Sequence, residues 1–178
     1  MFLRDPDSGQ PYWSNCGGTL VASKYVITAA HCVLRSGVVR PANTVAIRIG
    51  DHDLNHSGEE LITPKFVNVK TITNHPSYNG DIEDGYDISI VELEEELELD
   101  IYTPACLAKS DEAFDGKNAT VAGWGQIGYG ITPYPLVPSE VAVPVTGSVC
   151  HGHLYGSNIL CTGHFGLGMS AYRVMTYF

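Results

Sequence analysis

One histidine lies in a context that could support catalysis. Residues 25–32 read Tyr-Val-Ile-Thr-Ala-Ala-His-Cys, so a β-branched run ends in two alanines, His31 and Cys32. An imidazole titrates near neutral pH and can act as a general base, but it then needs an orienting carboxylate and a nucleophile. The alternative is a structural histidine at a strand end, which is the usual role of a lone histidine. The rest of the chain decides between the two interpretations.

The best candidate for the orienting carboxylate is Asp87, in the segment Gly-Tyr-Asp-Ile-Ser-Ile-Val-Glu-Leu. It stands where a loop enters an apolar strand. The alternative is an aspartate that only stabilises a turn, as Asp81 and Asp84 nearby could do. Asp87 taken alone does not decide the question.

The elements that must position these side chains are predicted to be strands. Long helical periodicity is absent, and residues 91–99 alternate apolar and acidic side chains, which favours a half-exposed strand over an acidic helix. Short strand-like runs bounded by Gly, Pro, Asn and Asp occur at residues 25–28, 44–49, 66–72, 88–93, 119–122 and 140–145. This pattern predicts an all-β sandwich or barrel.

Length and composition exclude several functional classes. The chain has 178 residues, 44% hydrophobic and 17% charged, which is typical of a globular domain or of part of a larger β-rich one. A net charge of −10 repels phosphate backbones, and Lys and Arg form no cluster, so we expect no nucleic acid as partner. No apolar run approaches the roughly 20 residues that span a bilayer, so we expect no membrane insertion.

Four short segments follow one another in a recognisable order: Cys-Gly-Gly-Thr-Leu at 16–20, Thr-Ala-Ala-His-Cys at 28–32, Asp-Ile-Ser-Ile at 87–90 and Gly-Trp-Gly at 123–125. Together they closely resemble the chymotrypsin/trypsin-like serine endopeptidases, over about residues 12–163. The resemblance implies two antiparallel β-barrels with the active site in the cleft between them, the second barrel being incomplete. It gives His31 the role of general base and Asp87 that of the buried carboxylate that fixes its tautomer, and both roles are carried over from the family.

The same resemblance suggests where the chain divides. The polar segment 109–118, Lys-Ser-Asp-Glu-Ala-Phe-Asp-Gly-Lys-Asn, separates two sets of predicted strands. We therefore expect an N-terminal barrel over 1–108 that carries His31 and Asp87, a linker over 109–118, and a partial C-terminal barrel with a divergent tail over 119–178.

The nucleophile is the part of the family pattern that this sequence does not match. The family places its serine in Gly-Asp-Ser-Gly-Gly beyond the cysteine matched by Cys161, whereas Ser170 lies in Gly-Met-Ser-Ala and is the only serine after that cysteine. An Ile-Val-Gly-Gly-like start and a signal peptide are also absent. We therefore expect a serine endopeptidase chain truncated at both ends and inactive alone. The alternative is a non-catalytic homologue that acts as a binding or regulatory module.

The resemblance also implies how the five cysteines are used. Cys32 would pair with Cys16, which fixes the segment that carries His31, and Cys150 would pair with Cys161. Cys106 would be left as a free thiol. In the chain-entropy model a loop of the length between Cys16 and Cys32 contributes about 3 kcal/mol.

Cysteine usage and the family both predict a secreted, extracellular protein. Sequons at Asn55 and Asn118 are compatible with glycosylation there, although such triplets also occur by chance. The partners that the family implies are polypeptide substrates or protease inhibitors.

No cofactor is required for the implied chemistry, but one loop resembles a calcium loop of some trypsin-like members. In Gly-Asp-His-Asp-Leu-Asn-His-Ser-Gly-Glu-Glu, Asp51 and Glu60 would provide carboxylates, and Asp53 and His56 would provide carbonyls. The alternative is a solvated acidic loop.

A zinc site is a third possibility, because Cys150-x-x-His153 and Cys161-x-x-His164 have the spacing of zinc ligands. In the family the two cysteines would pair with each other instead, and the histidines would be ordinary loop residues.

Overall fold

The computed structural model describes residues 2–4, 9–13, 16–55, 62–109, 112–125, 135–147, 149–150, 153–154 and 159–162, and the structural statements below concern these residues. Its strands are β1 Phe2–Arg4, β2 Pro11–Trp13, β3 Thr19–Ala22, β4 Tyr25–Thr28, β5 Leu34–Arg35, β6 Val38–Val39, β7 Val45–Ile49, β8 Lys65–Asn74, β9 Ser89–Leu93, β10 Asn118–Gly123, β11 Ser139–Gly147, β12 Val149–Cys150, β13 His153–Leu154 and β14 Cys161–Thr162. Two short 3-10 helices span Ala30–Val33 and Ala42–Thr44.

The strands form antiparallel sheets. A seven-stranded sheet has the order β2-β1-β7-β8-β9-β4-β3, and a three-stranded sheet has the order β10-β11-β14. The pairs β5–β6 and β12–β13 form separate two-stranded sheets. The all-β prediction is confirmed, and the antiparallel sheets agree with the fold that the resemblance implies. The domain boundaries at 109–118 stay a prediction.

Aliphatic side chains, most of them from neighbouring strands, form the core of the larger sheet. In β9, Ser89, Val91 and Leu93 are buried while Ile90 is exposed, as period-2 alternation requires of a strand with one face on the core. The core cluster is formed by Leu3, Val26, Val33, Val45, Ile47, Val67, Val69, Val91, Leu93 and Leu97. This packing fixes the positions of β4 and β9, on which the candidate site depends.

The acidic segment 91–99 differs from its prediction as one strand. It is extended only through Leu93, where β9 ends. Leu97 lies beyond the strand yet is buried in the core, and its N–H donates to the carbonyl of Ser23 at 2.7 Å. Apolar and acidic residues thus also alternate in a segment that bends after the strand, because the bend places the Leu97 side chain in the core.

No helix in the described part of the chain is long and apolar enough to cross a membrane.

Candidate active site

The pairing of β4 with β9 brings His31 and Asp87 together across 56 residues of sequence. The two strands are antiparallel, and Thr28 at the end of β4 is paired with Ser89 at the start of β9. His31 follows β4 by three residues, and Asp87 precedes β9 by two. Because the end of one antiparallel strand lies beside the start of its neighbour, both side chains reach the same edge of the sheet.

The Asp87 carboxylate contacts His31 at two points. Its Oδ2 lies 2.6 Å from Nδ1 of the His31 ring, and its Oδ1 accepts the His31 backbone N–H at 2.8 Å. The Asp87 side chain is 15% exposed and the His31 side chain 48% exposed. One carboxylate therefore orients both the imidazole and the turn that carries it.

These contacts change the protonation equilibria of both residues. The hydrogen bond to Asp87 raises the pKa of His31, against the opposing effect of partial burial. Burial by itself would raise the pKa of Asp87, but hydrogen bonds from the His31 ring and backbone, with one from the Ala30 backbone, lower it overall. Asp87 is thus ionised and accepts the Nδ1 proton, which leaves Nε2 as the position where His31 can take up a proton.

A phenol lies close to this pair. Burial raises the pKa of Tyr78, and the negative charges of Asp87 and Asp81 raise it further. The Tyr78 hydroxyl therefore stays neutral beside the carboxylate and places no second negative charge there.

A disulfide holds the turn that carries His31. Cys16 and Cys32 are bonded with a Cα–Cα distance of 6.1 Å, and Cys32 Sγ lies 3.5 Å from His31 Nε2. Ala30, between the strand and the histidine, is fully buried, so a larger side chain has no room there. The Thr28 hydroxyl donates to the Gly17 carbonyl at 2.7 Å and adds a second link between the two segments.

Glycine is required next to that disulfide. A Cβ added at Gly18 would lie 2.7 Å from Val26 Cγ1 and 3.1 Å from the Ile27 carbonyl oxygen. Gly18 therefore packs so closely against β4 that a side chain there would force Val26 to shift.

The predicted calcium ligands are only partly described. Asp51 pairs with Arg48 Nε at 2.6 Å, and its side chain is 6% exposed. Asp53 Oδ1 accepts the backbone N–H of Asn55 at 3.0 Å. His56 and Glu60 lie outside the described residues. A cation approaching Asp51 would compete with a guanidinium already in contact, which disfavours calcium at this carboxylate, but the predicted ligand set as a whole stays a prediction.

The remaining cysteines are distributed as follows. Cys161 is disulfide-bonded and Cys106 is a free, exposed thiol. The side chain of Cys150, the predicted partner of Cys161, lies outside the described part of the structure, as do Ser170 and His164. A disulfide-bonded sulfur is not a zinc thiolate, so the zinc interpretation loses one of its four ligands.

Among the described residues, one group has metal-ligand spacing, namely Cys16, His31 and Cys32. Two of its three ligand atoms are joined in the disulfide. The group therefore offers a metal only the imidazole.

Both predicted glycosylation positions are exposed. Asn55 lies in the loop after Asp53, and Asn118 is the first residue of β10. Their surfaces are accessible to modification.

Sequence reasoning missed a ring stack that involves Tyr86, the residue directly before Asp87. His75 and Tyr86 are stacked with centroids 4.7 Å apart and planes inclined by 17°. The available signal was the tyrosine directly before the candidate aspartate, but no periodic pattern connects it to a histidine eleven positions earlier.

The amino-acid sequence of the chain matches a known protein family and several of its members. The family model described as Trypsin matches residues 6–171. The chain is 35% identical over 134 residues to serine proteinase stubble of Drosophila melanogaster, covering 75% of this chain and 16% of that protein. It is 36% identical over 163 residues to serine protease filzig of the same species, covering 85% and 9%.

A smaller relative gives a similar result. The chain is 29% identical over 153 residues to trypsin-3 of Salmo salar, covering 83% of this chain and 59% of that protein. The chain thus spans less than two thirds of the length of each of these relatives.

Proposed function

Because the chain belongs to the trypsin family of serine proteases, we propose that His31 and Asp87 form the base–acid pair of a serine endopeptidase site acting on polypeptides. The observation that supports this most directly is the double contact of Asp87 with His31, through Nδ1 at 2.6 Å and the backbone N–H at 2.8 Å. A carboxylate used only in a turn would not need to contact an imidazole ring.

Each residue has a defined task in this proposal. Asp87 holds the Nδ1 proton, so His31 Nε2 carries the lone pair that accepts the proton of a serine hydroxyl as it attacks a peptide carbonyl. The imidazolium formed is stabilised by the same carboxylate, and it then gives its Nε2 proton to the departing amine. The raised pKa of His31 is consistent with this stabilisation.

The nucleophile is a separate part of the proposal. The 178 residues contain no Gly-Asp-Ser-Gly-Gly segment, and Ser170 has neither the aspartate nor the glycines of that motif. Family enzymes that lose one triad member still exceed the uncatalysed rate by about 10³–10⁴-fold through the oxyanion hole and substrate binding. We propose that this chain alone lacks the activated serine and its oxyanion hole and does not hydrolyse peptides.

The same sequence feature supports a second candidate, a non-catalytic homologue that binds polypeptides or inhibitors without cleaving them. We also propose an extracellular location. The Cys16–Cys32 disulfide supports it, because such bonds persist in oxidising compartments.

A fluorophosphonate probe tests the catalytic proposals, since it labels only a serine activated beside an oxyanion hole. We expect no labelling of the purified 178-residue chain or of its His31→Ala control, alongside full labelling of an active trypsin. Stoichiometric labelling at Ser170 that is lost in His31→Ala would overturn the inactivity of the isolated chain.

The same probe applied to the native protein, as isolated from its source, separates the two candidates. Labelling of a serine in the native protein supports the endopeptidase. A native protein that is not labelled supports the non-catalytic module.

A further inference from the structure

The backbone around Asp87 adopts a conformation that is rare for the residues it contains. Tyr86 has φ = 59° and follows Gly85 at φ = 78°. Glycine adopts the left-handed region freely, but a bulky aromatic residue seldom does. Such outliers persist only where neighbouring structure holds them, and they concentrate at functional sites.

Asp87 lies at the centre of a tight turn. The Ile88 N–H donates to the Tyr86 carbonyl at 2.7 Å, a hydrogen bond that closes a three-residue turn around the aspartate. The direction of the Asp87 side chain therefore depends on the backbone angles of the residue before it.

His75 contacts the chain on both sides of Asp87. Its ring stacks on that of Tyr86 at 4.7 Å, and its backbone N–H donates to the Ile88 carbonyl at 2.9 Å. It directly follows β8, whose last residue, Asn74, is paired with Ser89 at the start of β9. One residue thus links the sheet edge to both neighbours of the aspartate.

The His75 ring is itself fixed in orientation. Its Nδ1 accepts the backbone N–H of Ser77 at 3.1 Å, and the Tyr78 N–H donates to the His75 carbonyl at 3.0 Å. These two hydrogen bonds fix the His75 ring relative to the turn at residues 75–78, so Tyr86 stacks on a ring that is held in place.

We propose that His75 and Tyr86 form a ring clamp that holds Tyr86 in the left-handed region and thereby positions the Asp87 carboxylate on His31. The clamp residues are positioning residues and do not touch the reacting atoms. This inference rests on the proposed function in one respect, namely that the Asp87–His31 pair is the working part of the site.

The position of the Asp87 carboxylate is restricted by its two contacts with His31. Asp87 must hold two different donors of His31 at once, at 2.6 and 2.8 Å, and a carboxylate meets both only over a narrow range of positions. If Tyr86 relaxed to a more common φ, the turn would open and at least one of the two contacts would be lost.

The test is a titration of His31 by NMR in the labelled chain, its signals being assigned by their loss in His31→Ala. In Tyr86→Ala and His75→Ala we expect the pKa of His31 to fall from its raised value toward that measured in Asp87→Asn. Tyr86→Phe should retain the wild-type pKa of His31, because the stacked ring is kept. Tyr12 on β2 is a similarly exposed tyrosine, and Tyr12→Ala should also leave the pKa of His31 unchanged.

A double variant tests whether the two rings act together. His75→Ala with Tyr86→Ala should lower the pKa of His31 no further than either single change, because one broken stack cannot be broken again. If Tyr86→Ala does not fold, His75→Ala carries the test, because it breaks the same stack and leaves residue 86 unchanged.

Two failures are distinguishable. Folded clamp variants with the wild-type pKa of His31 would overturn the clamp, provided that Asp87→Asn lowers that pKa. If Asp87→Asn also leaves the pKa of His31 unchanged, the pair itself does not form in solution and the proposed function fails with it.

Discussion

At the scale of single residues, Asp87 is the most constrained side chain of the candidate site. One of its oxygens contacts the His31 ring and the other the His31 backbone, so the carboxylate fixes the position and the tautomer of the imidazole together. The same contact stabilises the charged form of both residues, since it raises the pKa of His31 and lowers the pKa of Asp87.

The first prediction concerns the pH dependence of stability. The pKa of His31 is raised in the folded state, so its contact with Asp87 adds stability that is complete below the unfolded value of about 6.5 and is lost as pH rises through the folded value. Asp87 has the opposite sign, because its pKa is lowered and its contribution is lost as pH falls through that lower value. We therefore expect wild type to exceed Asp87→Asn in unfolding free energy most clearly between these two limits.

Urea unfolding of both proteins between about pH 4.5 and pH 9 measures this difference. It should shrink toward high pH as His31 becomes neutral. A difference that instead grows with pH would contradict the assignment of the raised pKa to the contact with Asp87.

At the scale of elements, the candidate site is assembled from strand ends. His31 follows the end of β4, and Asp87 precedes the start of β9, which is paired with β4. His75 follows the end of β8 and lies at the same edge, because the last residue of β8 pairs with the start of β9. The short helix Ala30–Val33 adds one turn between strand and imidazole, with Ala30 and Val33 buried beneath it. The disulfide then joins this turn to the segment before β3.

The second prediction concerns that disulfide. Replacing Cys16 and Cys32 together by alanine should lower the free energy of unfolding by about 3 kcal/mol, since the unfolded chain regains the entropy of an open loop. Cys106→Ser is the matched control, because this free cysteine is exposed, and it should leave stability unchanged. Equal effects of the two changes in urea unfolding would contradict the structural role of the Cys16–Cys32 bond.

At the scale of the whole molecule, the loop after β7 connects the two larger sheets. The His52 carbonyl accepts the Trp124 indole N–H at 3.1 Å, and the Leu54 N–H donates to the Leu136 carbonyl at 2.9 Å. Trp124 directly follows β10, and Leu136 precedes β11. The loop that resembled a calcium loop therefore contributes backbone groups to the contact between the sheets.

The third prediction follows from the neighbours of that loop. Calcium at about 10⁻³ M, the range that extracellular sites bind, should leave the melting temperature unchanged, because Asp51 is paired with Arg48 and nearly buried. A site with a Kd of about 10⁻⁴ M would then see calcium at ten times its Kd and would gain about 1.4 kcal/mol, which a melting curve detects. Magnesium serves as the control ion.

The variant Arg48→Gln distinguishes two reasons for the absence of a calcium effect. Stabilisation of this variant by calcium, with wild type unaffected, would mean that the guanidinium blocks an otherwise suitable loop. A rise in the melting temperature of wild type with calcium alone would contradict the prediction and restore the loop as a metal site.

The sequence by itself determined the local features of this protein. Period-2 alternation and turn residues located β4, β7, β8, β9, β10 and β11 to within a few residues, because a strand with one buried face must alternate. The segments around His31 and Asp87 identified the family, since short motifs retain the residue types that the chemistry requires. The same local logic failed at residues 94–99, where alternation arose from a bend rather than from a strand.

Only the tertiary structure decided which distant groups meet. Sequence spacing does not state that β4 and β9 are neighbours, and this adjacency alone brings Asp87 to His31 across 56 residues. The stack of His75 on Tyr86 and the φ of 59° before Asp87 are likewise invisible in a one-dimensional pattern, because they depend on how two strand ends meet. Asp51 is a carboxylate in a segment that resembles a calcium loop, yet it forms an ion pair with Arg48, three residues earlier. Residue type sets what a group can do, but its contacts in the folded chain decide what it does, since hydrogen bonds and ion pairs act only over a few ångströms.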